Sequence, residues 1–385
     1  MKVAIVTAFP KDTSSPRGGV EVVSVNLVAA LAALDDLDLH VVTTAAEAPA
    51  PATESWNGVT VHRLPVKHRR VLVDAIGPGR RQMRQYLSAL QPDVVHAHDV
   101  YGLMVKGLAV PTIQTIHGFI HGDTVVSGEP LARVRGLVWR RVETGAWARQ
   151  HHIISISPYV RERLTPIASG VIHDVENPIA PLFFDVPRRE SGQTVFSAAV
   201  VSPRKNTLAL VDAVAQVAAA GVDVTLRLAG PVVDEAYAAR VRARIDEHGL
   251  GPRTTWLGSI GPDEVRRELA SASLFALVSL EENAPLAIEE AMAVGVPVVT
   301  SNRCGMPYMV RHAETGYLVD PLNPSDIAAR IAQLLRDGDG RRRMGAAAKR
   351  AAQERFHPAA IARRTRDIYR EAVAGARRLT AGERH

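Results

Sequence analysis

The sequence predicts an α/β protein of two doubly wound domains, and three observations carry that prediction. Short apolar runs alternate with helically spaced segments through both halves of the chain. The runs are apolar throughout rather than alternating, as expected of strands covered on both faces of a parallel sheet. One stretch without periodicity, Glu176–Gly192, holds Asn177, Pro178, Pro181 and Pro187 and separates the halves.

In the first half, Lys2–Ala8, Leu39–Thr43, Val59–Arg63, Val94–His96, Thr112–Thr115, Ile153–Ser155 and Val171–His173 read as strands. Helical spacing appears in Val20–Leu34, Gly79–Leu90, Leu131–Gln150 and Pro158–Leu164. In the second half the strands are Val195–Ala198, Val224–Ala229, Thr254–Leu257, Leu274–Ser279 and Val296–Thr300. Helices Leu208–Ala220, Asp234–His248, Pro262–Ala270 and Pro285–Val294 alternate with them. Two more helical patterns, Pro324–Leu335 and Arg341–Arg355, precede an amphipathic stretch, Pro358–Arg378, with Ile361, Ile368 and Tyr369 on one stripe. Two such domains are expected to face each other across a cleft, with ligands beyond the carboxyl ends of the strands.

The 385 residues, 46% hydrophobic and 22% charged, suit two domains and exclude a disordered or collagenous chain. No run approaches the roughly 18 apolar residues of a membrane span. Val3 to Phe9 is closed by Pro10, Lys11 and Asp12 and reads as a first strand rather than a signal peptide, so a cytoplasmic protein is expected. The single Cys304 excludes a disulfide framework and a thiolate metal cluster. Net charge is +6 and mostly arginine, densest between Arg63 and Arg84 and between Arg133 and Arg149. Neither cluster carries a nucleic-acid motif, so a solvated face or an anionic surface such as a membrane is favoured over nucleic acid.

Four segments offer chemistry. Gly18-Gly19-Val20-Glu21 stands between a strand and a helix, where glycines let the backbone approach an anion at a helix N-terminus. It is not GxGxxG, and no acidic residue follows at dinucleotide spacing. Arg204 and Lys205 are adjacent cations ahead of a helix and suit a diphosphate. In Glu281-Glu282-Asn283-Ala284-Pro285-Leu286-Ala287, free N–H groups at the helix start could meet an anion. Glu290 then lies about 7–8 Å further along the axis, at the reach of a neighbouring polyol. Without a ligand, the same acids would simply complement the helix dipole. His117 follows a buried strand and precedes Gly118, which fits either a catalytic or a core histidine. His96 with His98, and His151 with His152, imitate metal pairs, but no carboxylate or third ligand is spaced with them, so no metal is expected.

Glu282-(seven residues)-Glu290 followed by Ala291-Met292-Ala293 and Gly295-Val296-Pro297 resembles the signature of the retaining nucleotide-sugar glycosyltransferases of family four. The resemblance spans nearly the whole chain. Gly18-Gly19-Val20-Glu21 is similar to the N-terminal glycine loop, Thr115-Ile116-His117-Gly118 to the acceptor-side histidine, and Pro203-Arg204-Lys205-Asn206 to the phosphate loop. Trp256-Leu257-Gly258-Ser259-Ile260 resembles the segment under the nucleobase. The chain departs from the family at Ala199-Val200-Val201, where Gly-Arg-Leu is frequent, at Pro285, where glycine is common, and at Tyr308, where an acid is frequent.

The resemblance implies a GT-B fold of two Rossmann-like domains, with residues 1–178 binding the acceptor and residues 186–357 binding the donor. Residues 358–385 would form a helix packing back on the first domain. It implies retaining transfer of a hexosyl group from a nucleotide diphosphate sugar, UDP before GDP, to a glycan, lipid-linked or small-molecule acceptor. No metal or other cofactor is expected. His117 and Glu282 would be catalytic. Gly18, Gly19, Arg204, Lys205, Ser259, Ile260, Asn283, Ala284, Leu286, Ala287 and Glu290 would hold the donor. A nucleotide-sugar epimerase of the same fold and a non-catalytic sugar-nucleotide-binding protein are the alternatives.

Overall fold

A computed structural model describes residues 1–126 and 131–382. The chain forms two compact units, Met1–Pro178 together with Pro358–His385, and Ile179–His357. The first unit begins with β1 (Lys2–Val6), α1 (Gly19–Ala32), β2 (Asp38–Ala45), β3 (Ala52–Trp56) and β4 (Val59–Pro65). It continues through α2 (Val71–Ile76), α3 (Pro78–Leu90), β5 (Val94–His98), α4 (Tyr101–Val105) and β6 (Thr112–Ile116). Next come α5 (Ile120–Val126), α6 (Ala132–Trp147), β7 (His152–Ser155), α7 (Pro158–Leu164) and β8 (Val171–Asp174). The second unit holds β9 (Thr194–Ala198), α8 (Thr207–Ala219), β10 (Thr225–Ala229), α9 (Glu235–Glu247), β11 (Thr254–Gly258) and α10 (Pro262–Ser271). It ends with β12 (Leu274–Leu277), α11 (Leu286–Val294), β13 (Val298–Ser301), β14 (Gly316–Val319), α12 (Pro324–Arg336) and α13 (Gly338–Arg355). The last helix, α14 (Pro358–Gly382), belongs to the first unit.

The first sheet runs β3-β4-β2-β1-β5-β6-β7-β8, and only the β3–β4 pair is antiparallel. The second is wholly parallel in the order β11-β10-β9-β12-β13-β14. In each sheet the first parallel strand sits inside, and the winding reverses beside it, between β1 and β5 and between β9 and β12. Those reversals leave crevices at the carboxyl ends of the strands, the usual ligand position of doubly wound sheets. They are therefore the places where the fold positions a site.

Burial explains the apolar runs. Val3, Ile5, Val94 and Ile113 are fully buried in the first sheet, as are Val195, Leu274, Ala276 and Val299 in the second. Helix starts follow their caps: Ser157 accepts from the Val160 N–H, Asp234 from Tyr237 and Asp337 from Gly340. In α14, Ile361, Ile368, Tyr369 and Ala372 join the core that also holds Leu27, Val28 and Leu31 of α1. Five elements were not anticipated from sequence: β3, β14 and the short helices α2, α4 and α5. Residues 179–185, ahead of the expected second-domain start, belong to the second unit, because Ile179, Phe183 and Phe184 are buried in its core. Pro285 is the residue capping α11 rather than part of its first turn.

Helices α11 and α13 approach closely at two glycines. A Cβ on Gly345 would stand 2.3 Å from the Gly295 carbonyl oxygen, which is fixed backbone. Gly345→Ala should therefore cost about 1–3 kcal/mol through overpacking. Gly375 of α14 has nothing within 4 Å of such a Cβ, and Gly375→Ala should stabilise by roughly 0.5–1 kcal/mol through helix propensity. Thermal unfolding of the two variants should move the midpoint in opposite directions.

Candidate active site

In the second unit the loops following β9 and β12, on either side of the reversal, are tied together. The Leu280 N–H donates to the Arg204 carbonyl at 2.8 Å, and the Arg204 guanidinium donates to the Glu281 carbonyl at 2.7 Å. Gly305, beyond β13, donates its N–H to the Glu282 carbonyl at 2.8 Å. These backbone links carry Glu282 to the cations. Lys205 Nζ pairs with Glu282 Oε1, and Arg204 Nη1 stands 3.1 Å from the same oxygen. Lys205 and Glu282 side chains are only 13% and 10% exposed, so the pair is largely desolvated, whereas Arg204 remains 39% exposed. One carboxylate facing two cations leaves net positive charge at the crevice, ready for an anion.

Asn283 and Ala284 are half-buried in the loop leading to α11, and Leu286 and Ala287 are its first two residues. The Ile288 N–H is already taken by the Pro285 carbonyl at 3.0 Å, which leaves the Leu286 and Ala287 amides as the donors at the helix start. Glu290 follows one turn on. Burial alone pushes its carboxyl up to about 8, and no hydrogen bond or ion pair to a described residue holds it. Ser259 is exposed and Ile260 half-buried just beyond β11, after Gly258, whose carbonyl accepts from the Gly230 N–H at 2.7 Å.

In the first unit, Gly18 has φ 130°, a conformation that only glycine adopts readily, and Gly19 starts α1. The Glu21 carboxylate accepts from the Arg17 N–H at 2.6 Å and steadies the loop. His117 lies just beyond β6 within a polar network. Its Nε2 is 3.0 Å from His98 Nδ1, its ring is hydrogen-bonded to the Asn177 side chain, and its N–H donates to Asp99 Oδ1 at 2.7 Å. His96 Nδ1 meets the Tyr369 hydroxyl of α14 at 2.7 Å and its Nε2 meets Thr115 Oγ1 at 2.7 Å. Burial lowers the pKa of His117, although the nearby Asp99 charge and Asn177 oppose the shift. Burial also lowers His96, to about 3, and takes His98 well below the usual histidine range. Three neutral imidazoles result. His98 Nε2 is buried without a partner among the described residues.

Sequence reasoning missed Asp99 and the contacts that join His98 to His117 and Tyr369 to His96. Asp99 follows His98 directly, adopts φ 43° and binds the turn after the neighbouring strand; a polar pair at a strand's carboxyl end was the available signal. Nothing local marked Tyr369, which lies 273 residues from His96. Both nitrogens of His96 are engaged, so it does not form a metal pair with His98. His152, with no carboxylate or third ligand spaced with it in sequence, has two potential ligand groups nearby: His173 of β8 and Glu371 of α14. Spacing along one strand could not reveal ligands arriving from a neighbouring strand and a distant helix. Residues 127–130, between α5 and α6, lie outside the described residues. Among the described residues no helix is long and apolar enough to cross a membrane.

The family described as glycosyl transferases group 1 matches residues 179–351, and glycosyltransferase family 4 matches residues 17–181. A D-inositol 3-phosphate glycosyltransferase of Nocardioides sp. is 28% identical over 97% of this chain and 90% of its own length. An N-acetyl-alpha-D-glucosaminyl L-malate synthase of Bacillus anthracis is 34% identical over 30% of each chain. Among solved structures, sucrose-phosphate synthase of Thermosynechococcus elongatus aligns with a TM-score of 0.81 at 21% identity, over 97% of this chain and 99% of that one. Anabaena HepE in complex with UDP-glucose aligns with a TM-score of 0.74 at 18% identity, over 96% of this chain and 100% of that one. The two family matches together span residues 17–351, and the chain is a family-4-like glycosyltransferase with the GT-B fold.

Proposed function

We propose that the protein transfers a hexosyl group, with retention and without a metal, from a nucleotide diphosphate sugar to an acceptor hydroxyl. UDP is the favoured nucleotide and GDP the next; HepE, which binds UDP-glucose, supports that order. The observation that carries the reading is the Arg204–Lys205–Glu282 cluster beside the winding reversal of the second unit, one loop from the free amides of α11.

In this reading the diphosphate lies against Arg204, Lys205 and the Leu286 and Ala287 amides, a preorganised field for the charge that develops as it leaves. The bond from the anomeric carbon to the phosphate oxygen breaks, and the acceptor oxygen bonds to the same face. The acceptor proton passes to the departing phosphate. Glu282 is a poor nucleophile because its Oε1 faces two cations, which favours this route over a covalent sugar intermediate. Glu282 instead holds sugar hydroxyls, Ser259 and Ile260 flank the base, and Glu290 accepts hydrogen bonds from the ribose.

The Glu290 assignment makes a proton-linked prediction. Ribose hydroxyls favour the charged carboxylate, so donor binding near pH 7 should expel the proton that burial retains up to about pH 8. Calorimetry of nucleoside diphosphate in buffers of differing ionisation enthalpy should detect proton release by the wild type and none by Glu290→Gln. The variant should bind about 10–150-fold more weakly, the equivalent of one lost charge-assisted contact of about 1.5–3 kcal/mol. The carboxyl is protonated in the folded chain up to about pH 8 but loses its proton near 4.5 when exposed. The wild type should therefore lose stability relative to Glu290→Gln as pH rises through that window. Equal affinity in both proteins would remove Glu290 from the donor site. Incubation with labelled UDP- and GDP-sugars, with and without acceptors, tests the activity itself. Epimerised sugar, or binding with no transfer to any acceptor, would overturn it.

A further inference from the structure

His152 opens β7, His173 lies on the neighbouring edge strand β8, and Glu371 comes from α14. The register pairs His152 with Val171 and Ile154 with His173, so the two histidines are diagonal neighbours on one face of the sheet. His152 Nδ1 and His173 Nε2 are 3.1 Å apart, and the rings lie nearly parallel with centroids 5.4 Å apart. One carboxylate oxygen of Glu371 completes a trio whose ligand atoms all lie within 4.8 Å of one another.

We propose that His152, His173 and Glu371 form a binding site for a divalent ion of the zinc class, which fastens α14 to the β7–β8 edge of the first unit. Zinc bonds to nitrogen and oxygen of about 2.0–2.2 Å place tetrahedral ligands about 3.4 Å from one another. The two nitrogens already stand near that spacing. Glu371 is exposed and makes no hydrogen bond or ion pair to a described residue, so its flexible side chain can close the remaining gap. Water would take the fourth position. Both histidines are only half-buried, which leaves a path for the ion. Burial lowers both histidine pKa values, joined at His152 by the neighbouring imidazole and at His173 by Arg161, and keeps lone pairs available, while Glu371 opposes the shift and supplies the negative charge. Arg161, whose charge acts on His173, is paired with Asp174 at 2.7 Å.

A second histidine pair lacks this geometry. His40 Nδ1 meets His62 Nε2 at 2.9 Å, but the Asp38 carboxylate approaches the other His40 nitrogen, at 3.3 Å. Its acid and its histidine partner therefore lie on opposite sides of one ring and share no centre. The proposed ion also differs from any ion serving transfer, because His152 sits at the amino end of its strand, whereas His117 lies beyond the carboxyl end of β6.

The test uses the full chain, stripped of metal and titrated with zinc chloride by calorimetry and with cobalt(II) by visible absorption. The expected result is one ion per chain, a tetrahedral cobalt band and a raised melting temperature. His173→Ala should abolish all three. Glu371→Gln, a change on an exposed helix face that leaves folding intact, should weaken binding by at least about tenfold. His40→Ala should bind as the wild type does. The proposal is overturned by an absence of zinc uptake at micromolar concentrations, by unchanged binding in both His173→Ala and Glu371→Gln, or by loss of binding in His40→Ala.

Discussion

Replacing His117 with alanine should lower kcat, and kcat/KM by a comparable factor, while donor affinity stays near that of the wild type. A residue that orients the sugar or stabilises charge at the reacting carbon acts mainly in the transition state, and such a role is worth roughly 10²–10⁴-fold. The network around His117 sharpens the expectation. His98 holds its Nε2, Asn177 meets the ring and Asp99 fixes its backbone, so the imidazole is neutral and oriented rather than sealed among apolar groups. The truncation also strips His98 Nδ1 of its partner, which should cost about 1–3 kcal/mol of stability. Melting temperature and single-turnover transfer, measured on one preparation, separate the two effects. A destabilised variant whose folded fraction transfers sugar at the normal rate would make His117 a core residue.

The second large effect belongs to Lys205. Lys205→Ala should weaken nucleoside diphosphate and nucleotide sugar by the same factor, about 10–150-fold, because both present the same two phosphates. Nucleoside monophosphate should lose less; an equal loss would place the contact at the first phosphate or the base. The mutation also leaves the buried Glu282 carboxylate with Arg204 as its nearest cation. Combining Lys205→Ala with Glu282→Gln should therefore recover part of the lost stability, a coupling that a double-mutant cycle measures directly. Glu282→Gln alone should hold or tighten diphosphate binding, since it releases two cations, while slowing transfer. Weaker diphosphate binding in that variant would mean that Glu282 orients Lys205 rather than holding the sugar.

The legible parts of the fold were those in which a physical demand is written locally. Strands covered on both faces need continuous apolar runs, so β1, β2, β5 and β9 stood out. β3 did not, because Ala52–Ser55 are all exposed on a sheet edge. Its only signal was the Asn57-Gly58 turn, whose φ values of 48° and 79° suit a tight hairpin. Candidate site residues were legible one at a time, as cations near a helix start or acids beyond a strand. Their pairing was not: Lys205 and Glu282 are 77 residues apart, and only the strand order, with β9 beside β12, brings their loops together. The same holds for the trio of His152, His173 and Glu371, which no single segment contains.

The first unit is interrupted in sequence by the second, since Pro358 follows Pro178 only after 180 further positions. At about 5–20 residues per second, a ribosome needs roughly 10–35 s to cross that interval. For that time the nascent first unit has no α14, so the apolar face of α1 at Leu27, Val28 and Leu31 stands open and His96 lacks its tyrosine partner. The second unit is continuous and has all its strands as soon as its own stretch emerges. Translation therefore sets an order in which the unit begun first is finished last, and the half-made first unit is the natural client for a chaperone.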